Sequence, residues 1–320
     1  MRLAVRGQGG PQQSRGQGWR GLGYLLYALL VAGFSLWLLF PEQGVQRLLI
    51  RSLNRLVPGV QWRLGSLGLD LPLRLRVENV AGYVASDSAR PVLQVDQLEI
   101  RPDWSASFKE WAPWLRYHLH IGAGTIAGSW GQQRQKKGYA LHGSVRTLQL
   151  KDLPLLAQRL ERNMQGELSA TYEGDVSLEG GASCRWKAQT KIERGRLSFV
   201  RPVLQQTEFP FSQVTMLLHG TGRKMTIAEG RIQSPLGDGW FNGSLQFQTD
   251  PALSKVELRG GLHPKPAFFQ GVEDKVALGK VRAALQEKPL PFSLSGTLLH
   301  PGIHFEHFAL QISALDKEIR

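Results

Sequence analysis

Residues 167–179 read ELSATYEGDVSLE, in which Leu168, Ala170, Tyr172, Gly174, Val176 and Leu178 alternate with Glu167, Ser169, Thr171, Glu173, Asp175, Ser177 and Glu179. Successive side chains of a β-strand point to opposite faces, so this stretch predicts a strand with one apolar face and one wet face. The period returns downstream. Trp186, Ala188, Thr190 and Ile192 alternate with Arg185, Lys187, Gln189, Lys191 and Glu193, and Phe241, Gly243, Leu245 and Phe247 repeat it again. Short alternating runs of this kind predict an antiparallel sheet. Composition agrees: 36 glycines, 9 tryptophans and 13 phenylalanines favour strands and tight turns over helical bundles, and 320 residues at 42% hydrophobic can bury a sizeable core.

Working outward, the pattern apolar-x-Gly-x-apolar recurs at Ile126-Gly128-Trp130, Leu141-Gly143-Val145, Tyr172-Gly174-Val176, Phe241-Gly243-Leu245, Leu258-Gly260-Leu262 and Leu294-Gly296-Leu298. Glycine on the inward face of a strand marks a bulge or bend, or a place where another group approaches the backbone closely. The expected body, residues 59–320, is therefore one large, curved antiparallel β domain. Two helices are expected to interrupt it, one near 152–162 opened by Asp152 and Pro154, and one near 267–286. Two strand ends carrying His-Pro, at Leu258–Pro264 and Leu294–Pro301, read as a duplicated strand-plus-turn unit. A concave sheet lined by Leu168, Tyr172, Val176, Leu178, Phe241, Leu245 and Phe247 could shelter the acyl chains of a phospholipid.

The period upstream is different. Leu22 to Phe40 (LGYLLYALLVAGFSLWLLF) holds nineteen residues without a charge, which as a helix rises roughly 28 Å, close to the hydrocarbon thickness of a bilayer. Tyr24, Tyr27 and Trp37 lie toward its ends, where amphipathic rings settle among headgroups. The stretch is long for a signal peptide, and no Ala-x-Ala cleavage site lies between Gly33 and Gln46. A transmembrane helix over 22–40 is expected, preceded by a basic tail, 1–21, on the cytoplasmic side. Residues 42–57 predict an amphipathic juxtamembrane helix with Val45, Leu48, Leu49, Leu53 and Leu56 on one side. Arg47, Arg51 and Arg55 recur every four residues and form a stripe suited to anionic lipid headgroups.

The formal charge is +13, and the first twenty residues contribute Arg2, Arg6, Arg15 and Arg20 with no acid, so the remainder is basic as well. Beside an anchor, such a balance points to membrane phosphates or acidic protein partners. Nucleic acid is not an expected partner, because no dense basic stripe interleaved with aromatics and no zinc finger is present. The lone Cys184 excludes an internal disulfide. His300, His304 and His307 crowd near the end, but a strand there would aim His304 and His307 to opposite faces. His118 and His120 share a face without a third ligand. Nucleophile-elbow, phosphate-loop, zinc-protease and dinucleotide motifs are all missing. The reading is a non-enzyme with no cofactor and no metal.

Several stretches carry a family resemblance: Leu39-Phe40-Pro41, Leu-Val-Pro-Gly at 56–59, LQVDQLEIRP at 93–102, GAGTIAGS at 122–129, FPFSQV at 209–214 and LPFSLSGTL at 290–298. Together they resemble protein N of the type II secretion system, the GspN family in its long β-rich form, from about residue 22 to 308; the tail before it departs from the pattern. The resemblance implies a single-pass bacterial inner-membrane protein whose bulk lies in the periplasm, an accessory part of the apparatus that exports folded proteins, with other components of that apparatus as partners. The same order of anchor and sheet is also similar to the AsmA-like membrane-anchored β-groove proteins, which implies lipid binding or transfer instead.

Overall fold

The computed structural model describes residues 23–25, 27, 28, 31–33, 35, 41–56, 59–70, 73–84, 87–133, 138–153, 164–177, 183–203, 206–269 and 289–305. Within the expected transmembrane stretch the described residues are all helical. No helix among the described residues is long and apolar enough to cross a membrane, and the rest of 22–40 lies outside them.

The remainder is mainly β. Helix α1 (Glu42–Leu56) leads into β1 (Val60–Arg63), β2 (Leu67–Asp70), β3 (Arg74–Val84) and β4 (Asp87–Pro102). A short helix, α2 (Trp104–Glu110), precedes β5 (Trp114–Ile121), β6 (Gly124–Gln133), β7 (Gly138–Gln149), β8 (Met164–Ser177) and β9 (Ser183–Val203). Then follow β10 (Gln206–Thr221), β11 (Lys224–Gln233), β12 (Gly237–Gln246), β13 (Lys255–Pro264), β14 (Leu290–Thr297) and β15 (Pro301–Phe305). All fifteen strands belong to one open antiparallel sheet in which sequence neighbours are spatial neighbours, apart from β1 and β2, which both pair with β3. Every connection is thus local, which suits a sheet assembled hairpin by hairpin.

The alternation read from 167–179 places Leu168, Ala170, Tyr172, Gly174 and Val176 on one face of β8, opposite Ile192, Thr190, Ala188, Trp186 and Cys184 of β9. Leu178 lies outside the described residues. With no second sheet among the described residues, the apolar face is hidden in other ways. At one side α1 lays Val45 and Leu49 over Leu67, Val77, Val80, Val95, Ile121 and Leu148. At the other, Phe268 of the 3-10 turn Pro266–Phe269 packs with Phe209, Phe211, Val214, Leu236 and Leu262. Between them Ala188, Leu218 and Ile227 are buried under Tyr172, Trp186, Met216, Met225, Phe241 and Leu258. The sheet also curls, as its accumulated twist requires: a Cβ on Gly59, at the start of β1, would lie 2.2 Å from Thr249 Cγ2, in the loop after β12.

The glycines of the recurring pattern divide between their two roles: Gly243, at φ 149 beside a register shift between β11 and β12, and Gly296, at φ 118, mark bends, whereas Gly128, Gly143, Gly174 and Gly260 stand under or beside rings. A Cβ on Gly128 would stand 2.4 Å from Tyr117 Oη, and one on Gly143 2.6 Å from Tyr172 Oη. The two rings reach toward each other from β5 and β8 across these glycines, and their hydroxyls meet at 2.6 Å. Trp186 occupies the space over Gly220 and stands close to Gly174 as well, Phe241 lies over Gly230, Phe292 over Gly260 and Trp62 beside Gly82.

Two expectations change, and two fall mostly outside the described residues. Of the helices expected near 152–162 and 267–286, residues 154–163 and 270–288 are not described; beside them stand the 3-10 turns Leu150–Asp152 and Pro266–Phe269. The two His-Pro ends are not a duplicated unit. Pro264 closes β13, whereas Pro301 opens β15 after β14 has ended at Thr297, because the antiparallel register pairs Leu258 with Leu294 and puts the two prolines at opposite ends of the sheet. Leu48, expected on the packed side of α1, is 62% exposed, since Val45 and Leu49 face the sheet and Leu48 sits a hundred degrees round from Leu49.

The glycine and tyrosine arrangement is open to a direct check. Gly128→Val, which forces a side chain into the Tyr117 ring and within 2.3 Å of the His142 carbonyl oxygen, is expected to cost about 1–3 kcal/mol by overpacking. Tyr117→Phe strands the Tyr172 hydroxyl and is expected to cost about 1–3 kcal/mol. Urea denaturation measures both; a midpoint unchanged in either variant would sink the packing account.

Candidate functional site

The sheet's register carries its most informative property. Starting from Leu69 of β2 and stepping across each neighbouring strand, the directly opposed residues are Leu75, Ile100, Tyr117, Gly128, Gly143, Tyr172, Ala188, Leu218, Ile227, Gly243, Leu258, Leu294 and Ile303. This row crosses fourteen strands without a charged side chain, and its only polar atoms, the tyrosine hydroxyls, bond to each other. At the usual inter-strand spacing its contour runs roughly 60 Å. Burial pushes the titration of Tyr117 far up, helped by the hydrogen bond with Tyr172, and burial also raises Tyr172, so both stay neutral.

The described residues singled out as a groove lining fall on this face, Leu178 lying outside them. Leu168 packs into the cluster under α1, Tyr172 and Phe241 into the central cluster, and Leu245 is 7% exposed. Val176 is half-buried in β8, and Phe247, half-buried, follows the end of β12. The lining is therefore one surface. Its space is filled largely by its own rings lying flat over glycines.

Arg47 and Arg51 stand exposed on α1 with Leu48 between them, and Arg55 belongs to the same helix. Basic and apolar side chains share its outer face, the arrangement of a helix lying on an anionic lipid surface.

The opposite face is the negative of the apolar row. Arg101, Arg116, Ser129, His142, Glu173, Lys187, His219, Thr226, Ser244, Glu257 and Ser295 stand in register across β4 to β14. Lys187 pairs with Glu173, and Lys191 with Glu193 at 2.7 Å. Ser129, 6% exposed, bonds His142 Nε2 at 2.7 Å. A serine, a histidine and a glutamate are thus aligned, but Glu173 is engaged by Lys187 rather than by the imidazole. His118 and His120 lie side by side with Nδ1 to Nε2 at 3.0 Å. His304 is exposed in β15, and His307 lies outside the described residues. Among the described residues no group of three or more His, Cys, Asp or Glu is placed to hold an ion. An open hollow of about 600 Å³ on this face is lined by such groups as Arg146, Ser169, Thr171, Lys191, Thr215 and Arg231.

The sequence reading missed α2. Asp103 caps it, accepting a hydrogen bond from Ala106 N at 3.1 Å, and also accepts one from Arg116 Nε at 2.6 Å. Ser107 Oγ accepts from Trp114 N at 2.9 Å and so ties the helix to β5. The outward side carries Trp104, Phe108 and Trp111, which are 55, 70 and 77% exposed. The signal was present, an Asp before a Trp-x3-Phe-x2-Trp spacing that puts three rings on one helical face.

No protein-family model, curated protein or solved structure matches this chain.

Burial pushes the Asp103 carboxyl up, but the hydrogen bonds from Arg116 and Ala106 and the charges of Arg116 and Arg101 outweigh it and hold the group below the ordinary carboxylate range. A depressed folded-state value contributes stability that is present above the unfolded value and lost as pH falls through the folded one. Asp103→Asn is therefore expected to be less stable than the parent by about 1–2 kcal/mol at neutral pH, with the gap closing in acid below the carboxylate range. Denaturation at neutral and acid pH measures it; a gap that persists in acid would show that Asp103 acts through something other than its charge.

Proposed function

We propose that this chain is a membrane-anchored accessory component of a type II secretion apparatus, acting by binding and placement rather than by catalysis. The observation that carries the reading is the open antiparallel sheet, which ends in two short strands, β1 and β15, whose outer sides pair with no strand among the described residues. Unpaired backbone donors and acceptors at a sheet edge are ready to accept a strand from a partner. The order of elements and the sequence stretches shared with protein N of that system support the same assignment. In this reading residues 22–40 hold the chain in the bacterial inner membrane, residues 1–21 stay in the cytoplasm, and the sheet stands in the periplasm. Arg47, Arg51 and Arg55 rest on anionic headgroups.

A second reading is favoured by the apolar row. A continuous apolar face on a membrane-tethered sheet is the surface that an AsmA-like lipid carrier uses for acyl chains. Each reading has its own experiment. Crosslinked pull-down of the full-length protein from native membranes is expected to recover secretion-apparatus components well above a control membrane protein, and to lose them when proline is placed at Ile303 in β15. Recovery of none, under crosslinking that captures other known complexes, would overturn the accessory role. For the lipid reading, a photo-crosslinking residue at Met225, on the apolar face, is expected to acquire phospholipid adducts in intact cells where one at Lys224, on the wet face, does not. Equal labelling at the two positions would remove it.

A further inference from the structure

Among the described residues, two of the five non-glycine residues with positive φ are large, exposed and apolar: Leu73 (φ 61) and Trp111 (φ 49), which are 41 and 77% exposed. The left-handed region favours glycine, so a leucine and a tryptophan there are held at a conformational cost with no burial to offset it. Both belong to one tip. Leu75 pairs with Ile100, so Leu73 in the β2–β3 turn lies at the end of the sheet where β4 runs into α2. Trp104, Phe108 and Trp111 are at that end, with Lys109 and Arg101 exposed beside them. The buried Asp103, its bond to Arg116 and the Ser107–Trp114 tie hold the helix in place, so the rings are presented rather than left loose.

The orientation of α1 indicates what covers this tip. Gln46 donates to the Leu64 carbonyl at 3.2 Å, beside Gly65, which is bonded to Glu78 of β3. The other end of α1 leads through Gly59 to Val60, opposite Val84. Helix α1 therefore runs along β3 from the level of Glu78 to that of Val84, and its N-terminus, where the apolar stretch 22–40 enters, points toward the Leu73 and α2 end.

We propose that Leu73, Trp104, Phe108 and Trp111 form a membrane-interface foot that sits in the headgroup layer of the same bilayer that holds the chain's own anchor. Tryptophan settles at the headgroup level, phenylalanine and leucine beside it bury in the acyl boundary, and Lys109 and Arg101 meet the lipid phosphates. With the anchor as one attachment and the foot as a second, the first strands cannot swing freely about Pro41. The inference rests on the anchored reading above, and the experiment separates the two.

Full-length protein carrying Cys184→Ser and Phe108→Cys, labelled at residue 108 with an environment-sensitive fluorophore, is reconstituted into vesicles of phosphatidylethanolamine and phosphatidylglycerol. Lys187→Cys on the wet face is the control, and Leu73→Cys is a second reporter. The expected result is blue-shifted emission at 108 and 73, quenched several-fold more strongly by a lipid-borne quencher than at 187. Water-like emission at 108 and 73 in protein that floats with the vesicles overturns the foot and leaves the anchor standing. A blue shift that the lipid-borne quencher does not touch places the tip against protein and also overturns it. Protein that fails to float overturns the anchor and the foot together.

Discussion

Among the described residues a single sheet has to hide an apolar face with no second layer over it, and the rest of the described fold follows from that constraint. Two-layer domains bury each face against another element. Among the described residues α1 and the Pro266–Phe269 turn cover the flanks, and the sheet's own side chains pack over the middle. The device is repeated: a position without a Cβ on one strand and a large ring on the next, as with Gly128 and Gly143 between Tyr117 and Tyr172, Gly220 beneath Trp186 and Gly230 beneath Phe241. Each ring lies down on the backbone instead of standing in solvent, and an aromatic side chain so placed removes roughly 150–250 Å² from water. Glycine weakens a strand in isolation, and at these positions the ring that fills the space is what offsets it.

Bends give the sheet its curl without breaking the apolar face. In β10 the buried positions change parity, from Phe209 and Phe211 to Val214 and Leu218, and in β7 the register slips between Val145 and Leu148, where Thr147 adopts φ 52. A one-residue slip would normally turn an apolar set outward. Here the sequence changes phase at the same places, so the core side stays apolar on both sides of each irregularity. The wet face tolerates the same bends because long charged side chains adjust: Arg194, at φ 51, still reaches Glu167 at 2.7 Å.

Fold class was legible because period two survives inside each strand, and 167–179 alone shows which residues share a face. Register was not legible. Nothing local says that Tyr117 stands three strands from Tyr172 with two glycines between, since the pairing depends on turn lengths and on the bulge at Thr147 that shifts the count by one. The glycine pattern could be seen, but its choice between bend and close approach could not, because the ring that fills each gap comes from another strand. Leu48 was misplaced for a related reason: a helical wheel with apolar residues on most sides does not say which stripe the sheet will take. Helix α2 was overlooked because seven residues between two strands are too few for a helical period to stand out.

The curl also ranks the two functional readings physically. Gly59 and Thr249 meet although twelve strands are threaded between them, so the apolar face is turned in upon itself, and Ala188, Leu218 and Leu245 are 7–8% exposed. A lipid chain entering there must first rotate rings such as Trp186 off their glycines and part the Tyr117–Tyr172 bond, leaving hydroxyls to find new partners in apolar surroundings. A strand docking on β15 displaces no strand among the described residues; it adds backbone hydrogen bonds along the outer side of an edge strand. Edge pairing is the lower-cost event for the sheet as it stands, and lipid uptake is the one that needs a second conformation. A protein built to carry lipid on this face would keep its row open, whereas this row is closed by rings placed in register with glycines, a pattern that serves a stiff platform.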